Sequence, residues 1–206
     1  MNINQYYHEI FLPSNVAVSA LRRAGLPTSL ERIKETRITW EAKLKDLESF
    51  VEGEAAKVGV VVKYSKAHAL SGVALGNILY NGLGLDCKKR TPSSKTFPQG
   101  QPSTDDDALG DYASLSNPRP DDHPVATAIL KIRSLAKGIG TYLNPFAEAT
   151  RSDGCVHPHF KWNLRTPRLA AENPPVHQIP ERADKEVADA IKRCFIPRVN
   201  PARNPE

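Results

Sequence analysis

Three clusters in this sequence combine residue types that do chemistry. Cys155, His157 and His159 alternate, so on an extended strand their side chains share one face. With Asp153 they offer a transition metal one thiolate, two imidazoles and a carboxylate. A second cluster, Asp105, Asp106 and Asp107, carries the acids of a metal clutch. Directly behind Thr104, however, it reads as the first turn of a short helix, where acids complement the helix dipole and the exposed N–H groups. The third is an acid-free basic run, Lys88, Lys89, Arg90 and Lys95. Such a run suits a phosphate-bearing partner, and it equally suits a solvated loop.

The whole chain leans the same way. Its 206 residues carry a formal charge of +5, with a pI of about 9.1. A basic surplus favours partners that carry phosphate. It is unevenly spread, because Asp105–Asp107, Asp111, Asp121 and Asp122 follow soon after the basic run. The 3 cysteines are far apart and odd in number, so they form neither a disulfide framework nor a CxxC metal pair. The N-terminus lacks the basic and apolar runs of a signal peptide, and no apolar stretch approaches the ~20 residues that span a bilayer. The expectation is a soluble, cytoplasmic protein of a reducing compartment, with no membrane partner.

Positioning these clusters falls chiefly to two long helices. Thr28 to Glu31 has the spacing of a capping box. Beyond it Leu30, Ile33, Trp40, Leu44, Leu47, Val51, Ala55 and Val58 recur at three- and four-residue steps, the seam of a helix packed lengthwise on another. A matching seam opens at Asp122-His123-Pro124, with Asp122 as its N-cap, and runs through Val125, Ile129, Ile132, Ala136, Ile139 and Leu143. Gly138 and Gly140 weaken its later turns. Two seams of one period predict an antiparallel helical pair, which a plain helical bundle would also display.

Shorter pieces surround the pair. Pro13 to Arg23 reads as a helix stopped by Gly25, and Ser65 as the cap of a helix through Leu70, Val73, Ala74, Ile78 and Leu79. A loop rich in proline and glycine holds the basic run, and Thr104 caps a short acidic helix. After Thr150 the pattern turns to extended pieces, Val156 to Trp162 and Arg168 to Ile179, with the proline turns expected of a segment so rich in that residue. An amphipathic helix from Asp184 to Arg193 then packs Val187, Ala190 and Ile191.

The stretch Asp153-Gly154-Cys155-Val156-His157-Pro158-His159-Phe160, followed by Thr166-Pro167-Arg168-Leu169-Ala170-Ala171-Glu172-Asn173-Pro174-Pro175-Val176-His177-Gln178-Ile179-Pro180, resembles a signature of family A DNA polymerases. That family writes a DG-x-hydrophobic-H strand, then TGRLSS, two variable positions and PNLQNIP. Weaker likenesses cover most of the chain. They include Leu12-Pro13 to Gly25-Leu26, Leu75-Gly76-Asn77-Ile78-Leu79-Tyr80 with Gly84-Leu85, Ser103-Thr104-Asp105, and the helix from His123-Pro124.

The resemblance implies a mainly α fold: an antiparallel long-helix thumb with a small helical tip, followed by a short α+β palm fragment. Residues 1–27 would be an entry helix and 28–150 the thumb, with long helices at 28–58 and 122–145 and a tip at 59–121. Residues 151–198 would be the N-terminal part of the palm, and 199–206 a tail. It further implies that Lys88, Lys89, Arg90 and Lys95 sit on the tip that follows a duplex minor groove, where they would neutralise phosphates without reading sequence. Arg168 matches an arginine that reaches the minor groove near the primer end, where base acceptors are similar for all pairs. Thr166, Gln178 and, in place of a family glutamine, His177 match positions that hold template and primer. Pro167 and Pro175 replace a family glycine and asparagine, and Pro175 has no side-chain amide to offer DNA.

Polymerisation needs two metal ions held by carboxylates. The family takes them from a DYSQIELR-like strand and an HDE turn, and clamps the nucleotide with a K-x-x-x-R helix; none of these is in the sequence. With the sequence opening at Met1, the expectation is that no proofreading exonuclease precedes it. The expectation is a DNA-binding part of a replicative or repair polymerase, from a phage or prophage, either truncated or one half of a split enzyme. It would be inactive alone and bind no cofactor, with Mg2+ entering only in a complete polymerase. Its partners would be primer–template DNA and a second chain carrying the rest of palm and fingers. The rival readings are a free-standing nucleic-acid-binding module, a non-functional remnant, and a small metalloenzyme built on Cys155, His157 and His159.

Overall fold

The computed structural model describes residues 1–95, 97–161, 169–179 and 184–197. The fold is mainly helical, with short antiparallel strands, as the sequence predicts. The chain divides into two compact units. The first comprises Met1–Thr36, Thr141–Pro180 and Ala188–Glu206, and the second Arg37–Gly140 and Glu181–Val187. Among the described residues no helix is long and apolar enough to cross a membrane.

In the first unit the chain opens with α1 (Ile3–Gln5), a π-helical turn over Tyr6–Phe11 and α2 (Leu12–Ala24), none of whose residues is buried. Gly25 ends α2 at φ +68°, a conformation that favours glycine. The chain then forms β1 (Leu26–Pro27), which pairs with β2 (Cys155–Val156). Thr28 N–H donates to Gly154 O at 2.9 Å, while Ser29 N–H and Ile196 N–H donate to Cys194 O and Pro27 O at 2.8 and 3.0 Å. One short segment is thereby stitched to two distant ones. Beyond β2 come β3 (His159–Lys161) and β4 (Ala170–Glu172), an antiparallel pair in register from His159↔Glu172 to Lys161↔Ala170. The unit's core includes Ile33, Leu143, Phe146, Val156, Ile191 and Cys194, with the Phe146 and Phe195 rings edge-on at 5.1 Å.

In the second unit α3 (Leu30–Lys57), which begins in the first, buries Trp40, Leu44, Val51 and Ala55. After it come α4 (Gly72–Gly76), a π-helical turn over Asn77–Gly82, α5 (Asp106–Leu109) and α6 (Pro124–Lys137). The face of α6 holding Val125, Ile129, Ile132 and Leu135 is buried. Two ties show how α3 and α6 lie. A Cβ built on Gly138, the residue after α6, would stand 2.5 Å from the Trp40 ring. Further along α3, Lys43 shares Glu186 with Lys131 of α6, each contact being 2.7 Å. Numbers rise along one helix as they fall along the other, so the pair is antiparallel.

Several helix starts differ from the sequence reading. Ser29, not Thr28, offers its hydroxyl to Arg32 N–H at 3.3 Å, while the Thr28 hydroxyl turns back to Leu26 O. Ser65 closes a turn by accepting from Ala67 and Ala69 N–H, and Ser71 is the cap of α4. Asp105, not Thr104, caps α5. Asp122 is spent on the N–H groups of Ser114 and Arg119 and on the Arg119 side chain, leaving His123 at the start of α6 without a side-chain cap. Thr28, Ser65 and Asp122 each found another backbone donor or acceptor, as short polar side chains do. The seam of the second helix also shifts. A π-helical turn over Gly138–Leu143 precedes α7 (Asn144–Ala149), and Leu135 and Tyr142 are buried while Ala136 and Ile139 are half-buried.

The last element, α8 (Lys185–Arg193), is fixed at its start by charge. Asp184, 3% exposed, accepts from Val187 N–H at 3.3 Å and from Lys131 Nζ at 2.9 Å. Burial opposes the charge on Lys131, yet Glu186 and Asp184 together hold its ammonium above the usual range. The same lysine, with Lys43, pulls Glu186 from its usual 4.5 down to about 2. Asp184→Ala, which removes a cap and leaves a half-buried cation short of a partner, should cost about 3 kcal/mol in urea unfolding. Glu186→Gln, at an exposed pair, should cost about 1 kcal/mol or less. Because the Glu186 pKa is depressed on folding, its contribution is complete above about pH 4.5 and fades as pH falls towards about 2. The glutamine variant should therefore lose stability less steeply than the parent across that window.

Candidate nucleic-acid interface

The basic run sits on a loop whose two arms are tied together. Ser103 N–H donates to Lys89 O at 2.9 Å and Thr91 N–H to Gln101 O at 2.8 Å, with an isolated bridge between Arg90 and Pro102. Gln101 N–H returns to the Thr91 hydroxyl at 2.9 Å, and a reciprocal Ser94–Phe97 pair narrows the turn. Gly100 makes this closure possible. Its φ is +69°, and a Cβ there would lie 2.0 Å from Thr91 O.

Side chains from neighbouring elements pin the base of the loop. The Tyr80 hydroxyl donates to Ser103 O. The Arg133 guanidinium donates to Thr104 O and to Asp106 Oδ1, each at 2.7 Å. Asp105 accepts Ala108 N–H at 2.7 Å, a bond that holds its carboxyl below the usual carboxylate range. The three acids thus act at a helix start: Asp105 caps, while Asp106 and Asp107 occupy the first turn. On this frame Lys88, Lys89, Arg90 and Lys95 are all exposed. Lys88 Nζ lies 5.7 Å from the centre of the Tyr112 ring, which steadies its long stem. Among the described residues none of the four forms an ion pair. Tyr80, Tyr112 and Arg133 are the supports that sequence reasoning missed. The Leu75-to-Tyr80 likeness contained Tyr80 without giving it a role, and the Ser103-Thr104-Asp105 likeness marked the place the three hold.

In the first unit, His177 and Gln178 fall in a 3-10 turn over Val176–Gln178. Its backbone is held from two sides: Gln178 N–H donates to Pro175 O, and Gln178 O accepts from the Tyr142 hydroxyl. His177 Nδ1 accepts Ala171 N–H at 3.0 Å, so one ring nitrogen is committed to the fold and Nε2 carries the remaining hydrogen. Both side chains are exposed. Thr166, Pro167 and Arg168 lie outside the described residues.

The alternating trio does not form one strand face. Cys155 belongs to β2 and His159 to β3, which have different partners, and His157 and Pro158 between them belong to neither strand. Cys155 is buried and His157 is bound to Asp153 Oδ2 at 2.8 Å, whereas His159 Nε2 accepts from the Arg22 guanidinium at 2.6 Å. Among the described residues no three of Cys, His, Asp and Glu converge in a way that would hold a metal ion.

The sequence profile described as DNA polymerase family A matches residues 31–202. The DNA polymerase of Escherichia phage T5 is 27% identical over 161 residues, covering 78% of this chain and 17% of that protein. DNA polymerase I of Deinococcus radiodurans is 28% identical over 192 residues, covering 92% of this chain and 18% of that protein. The chain therefore spans under a fifth of either relative. A solved structure described as the POL domain of Pol1 from M. smegmatis, in complex with DNA primer-template and dNTP, matches with a TM-score of 0.69 at 21% identity. The match covers 93% of this chain and 30% of that one. At that identity the likeness speaks for the fold.

Gly100→Ala should open the loop while sparing the helices, at a local cost of about 1–3 kcal/mol. Amide exchange should accelerate at Thr91 and Ser103 and stay slow in the middle of α6. Unchanged protection at Thr91 would show that the glycine does not close the loop.

Proposed function

Because this chain belongs to DNA polymerase family A, we propose that it is a DNA-gripping part of such a polymerase: a helical thumb with the opening strands of the palm. The observation that carries this reading is the stiffened loop presenting four exposed cations. A phosphate backbone asks for positive charge held at a roughly fixed spacing, with no demand for a base sequence. A loop tied arm to arm supplies it with little ordering left to do on binding. The exposed side chains of Gln178 and His177, on a pinned turn, would add polar contacts to template or primer, and Arg168 would probe the minor groove beside the primer end.

In this reading the chemistry resides outside these residues. The sequence has no counterpart of the family's DYSQIELR-like strand or HDE turn, and its K-x-x-x-R spacing, Lys161 to Arg165, opens at the end of β3 and not on a helix. The carboxylates that hold Mg2+, and the clamp on the incoming nucleotide, would belong to a further part of the polymerase that joins this one on primer–template DNA. Alone, the chain binds and does not extend.

Salt dependence tests the grip. The logarithm of primer–template affinity should fall linearly with the logarithm of salt concentration, and replacing Lys88, Lys89, Arg90 and Lys95 together by alanine should flatten that slope by about 3–4. An unaltered slope would remove the loop from the interface. Arg168→Ala should weaken binding to a recessed primer end by about tenfold and binding to blunt duplex by much less. Equal losses on the two would end its assignment to the primer end.

A further inference from the structure

A pocket of about 440 Å³ in the first unit is lined by Ser19, Arg22, Arg23, Arg151 and His157. We propose that it is a phosphate-binding site, separate from the basic loop, that takes either a free polyphosphate or the backbone of a single nucleic-acid strand. Three guanidinium groups meet there from two elements. Arg22 and Arg23 come from the last turn of α2. Arg151 comes from the turn that leads into β2, where its N–H donates to Cys155 O at 3.0 Å and its carbonyl accepts from Gly154 N–H at 2.9 Å. Complementing the C-terminal dipole of α2 explains the first two arginines and leaves the third without a reason. A ligand with several anionic oxygens accounts for all three, because each guanidinium presents a planar fork that fits phosphate.

One nitrogen of the Arg22 guanidinium is engaged by His159 Nε2 at 2.6 Å, and the nearby acid is engaged away from the arginines. Asp153, the nearby carboxylate, has both oxygens engaged. Oδ1 accepts from Cys155 N–H at 3.0 Å, and Oδ2 lies 2.8 Å from His157 Nε2. His157 holds the Asp153 carboxyl below its usual range, so the acid is bound to the wall instead of to the arginines. The other ring nitrogen, His157 Nδ1, faces Arg22 O at 2.6 Å. The ring is thereby held between the end of α2 and the turn before β2, and it closes one side of the pocket. The arrangement needs Gly25, where a Cβ would stand 2.7 Å from His157 and 2.8 Å from Cys155. Arg22, Arg23 and Arg151 are exposed to an incoming ligand. The volume lies in the range of small-molecule sites and exceeds what one phosphate fills.

The test uses the whole chain at low salt, titrated by calorimetry with sodium tripolyphosphate and, separately, with single-stranded oligothymidylate. Saturable binding of at least one is expected, with the His157 ring resonances moving on addition. Arg23→Ala with Arg151→Ala should weaken it at least tenfold. Arg151→Lys, which keeps the charge and the fold but loses the fork, should weaken it severalfold. The four-alanine loop variant should bind tripolyphosphate as the parent does, which separates this site from the grip proposed above. Preference for tripolyphosphate identifies a free polyphosphate as the ligand, and preference for oligothymidylate identifies a strand. No saturable binding of either, or equal affinity in the folded Arg151→Lys and double-alanine variants, would overturn the proposal.

Discussion

The seam between α3 and α6 governs the second unit, and its tightest point is the Trp40 ring against Gly138. There is no room for a methyl group, since a Cβ would come within 2.5 Å of the indole. Glycine usually weakens a helix, but here it lets a large buried aromatic bring two helices close. A second tie, the Lys43–Glu186–Lys131–Asp184 network, works by charge. Of its members Asp184 is the most deeply buried, and it also caps α8. The apolar contact sets how near the helices lie. The ionic contact draws the start of α8 onto the same pair.

Everything between α3 and α6 in sequence is carried by this pair, including the loop with the basic run. That loop is not stiff through its own composition, because a stretch so rich in lysine, serine and proline has little to bury. It is made stiff by backbone bonds between its arms, by a glycine in a left-handed conformation, and by Tyr80 and Arg133 reaching its base. Charges on a prepared frame meet a phosphate backbone with less loss of freedom than charges on a loose chain. The proposed grip is thus a product of support at least as much as of charge.

Much of this was legible in the sequence, because long helices repeat their apolar positions and a helix of 28 residues leaves many repeats. Trp40, Leu44, Val51 and Ala55 were found that way, as were Val125, Ile129 and Ile132. Caps were read less well, because Thr28 and Ser29, or Thr104 and Asp105, stand side by side and either could serve. At the start of α3 the choice follows from where the hydroxyls go: that of Thr28 donates to Leu26 O, and that of Ser29 accepts from Arg32 N–H. The alternation of Cys155, His157 and His159 promised a shared face, but pairing in β2 and β3 follows two partners that lie far off in sequence. The arginine pocket was invisible for the same reason. Arg22 and Arg151 meet only because β1 and β2 pair, and no local pattern announces that.

The central claim is that the basic loop touches duplex DNA. A photoreactive side chain placed on it measures this most directly, for example Pro92→p-benzoylphenylalanine, irradiated with primer–template at low and high salt. The account predicts an adduct with the duplex at low salt that fades as salt rises. Bound DNA that gives no adduct from the loop, or an adduct that salt does not diminish, would contradict it.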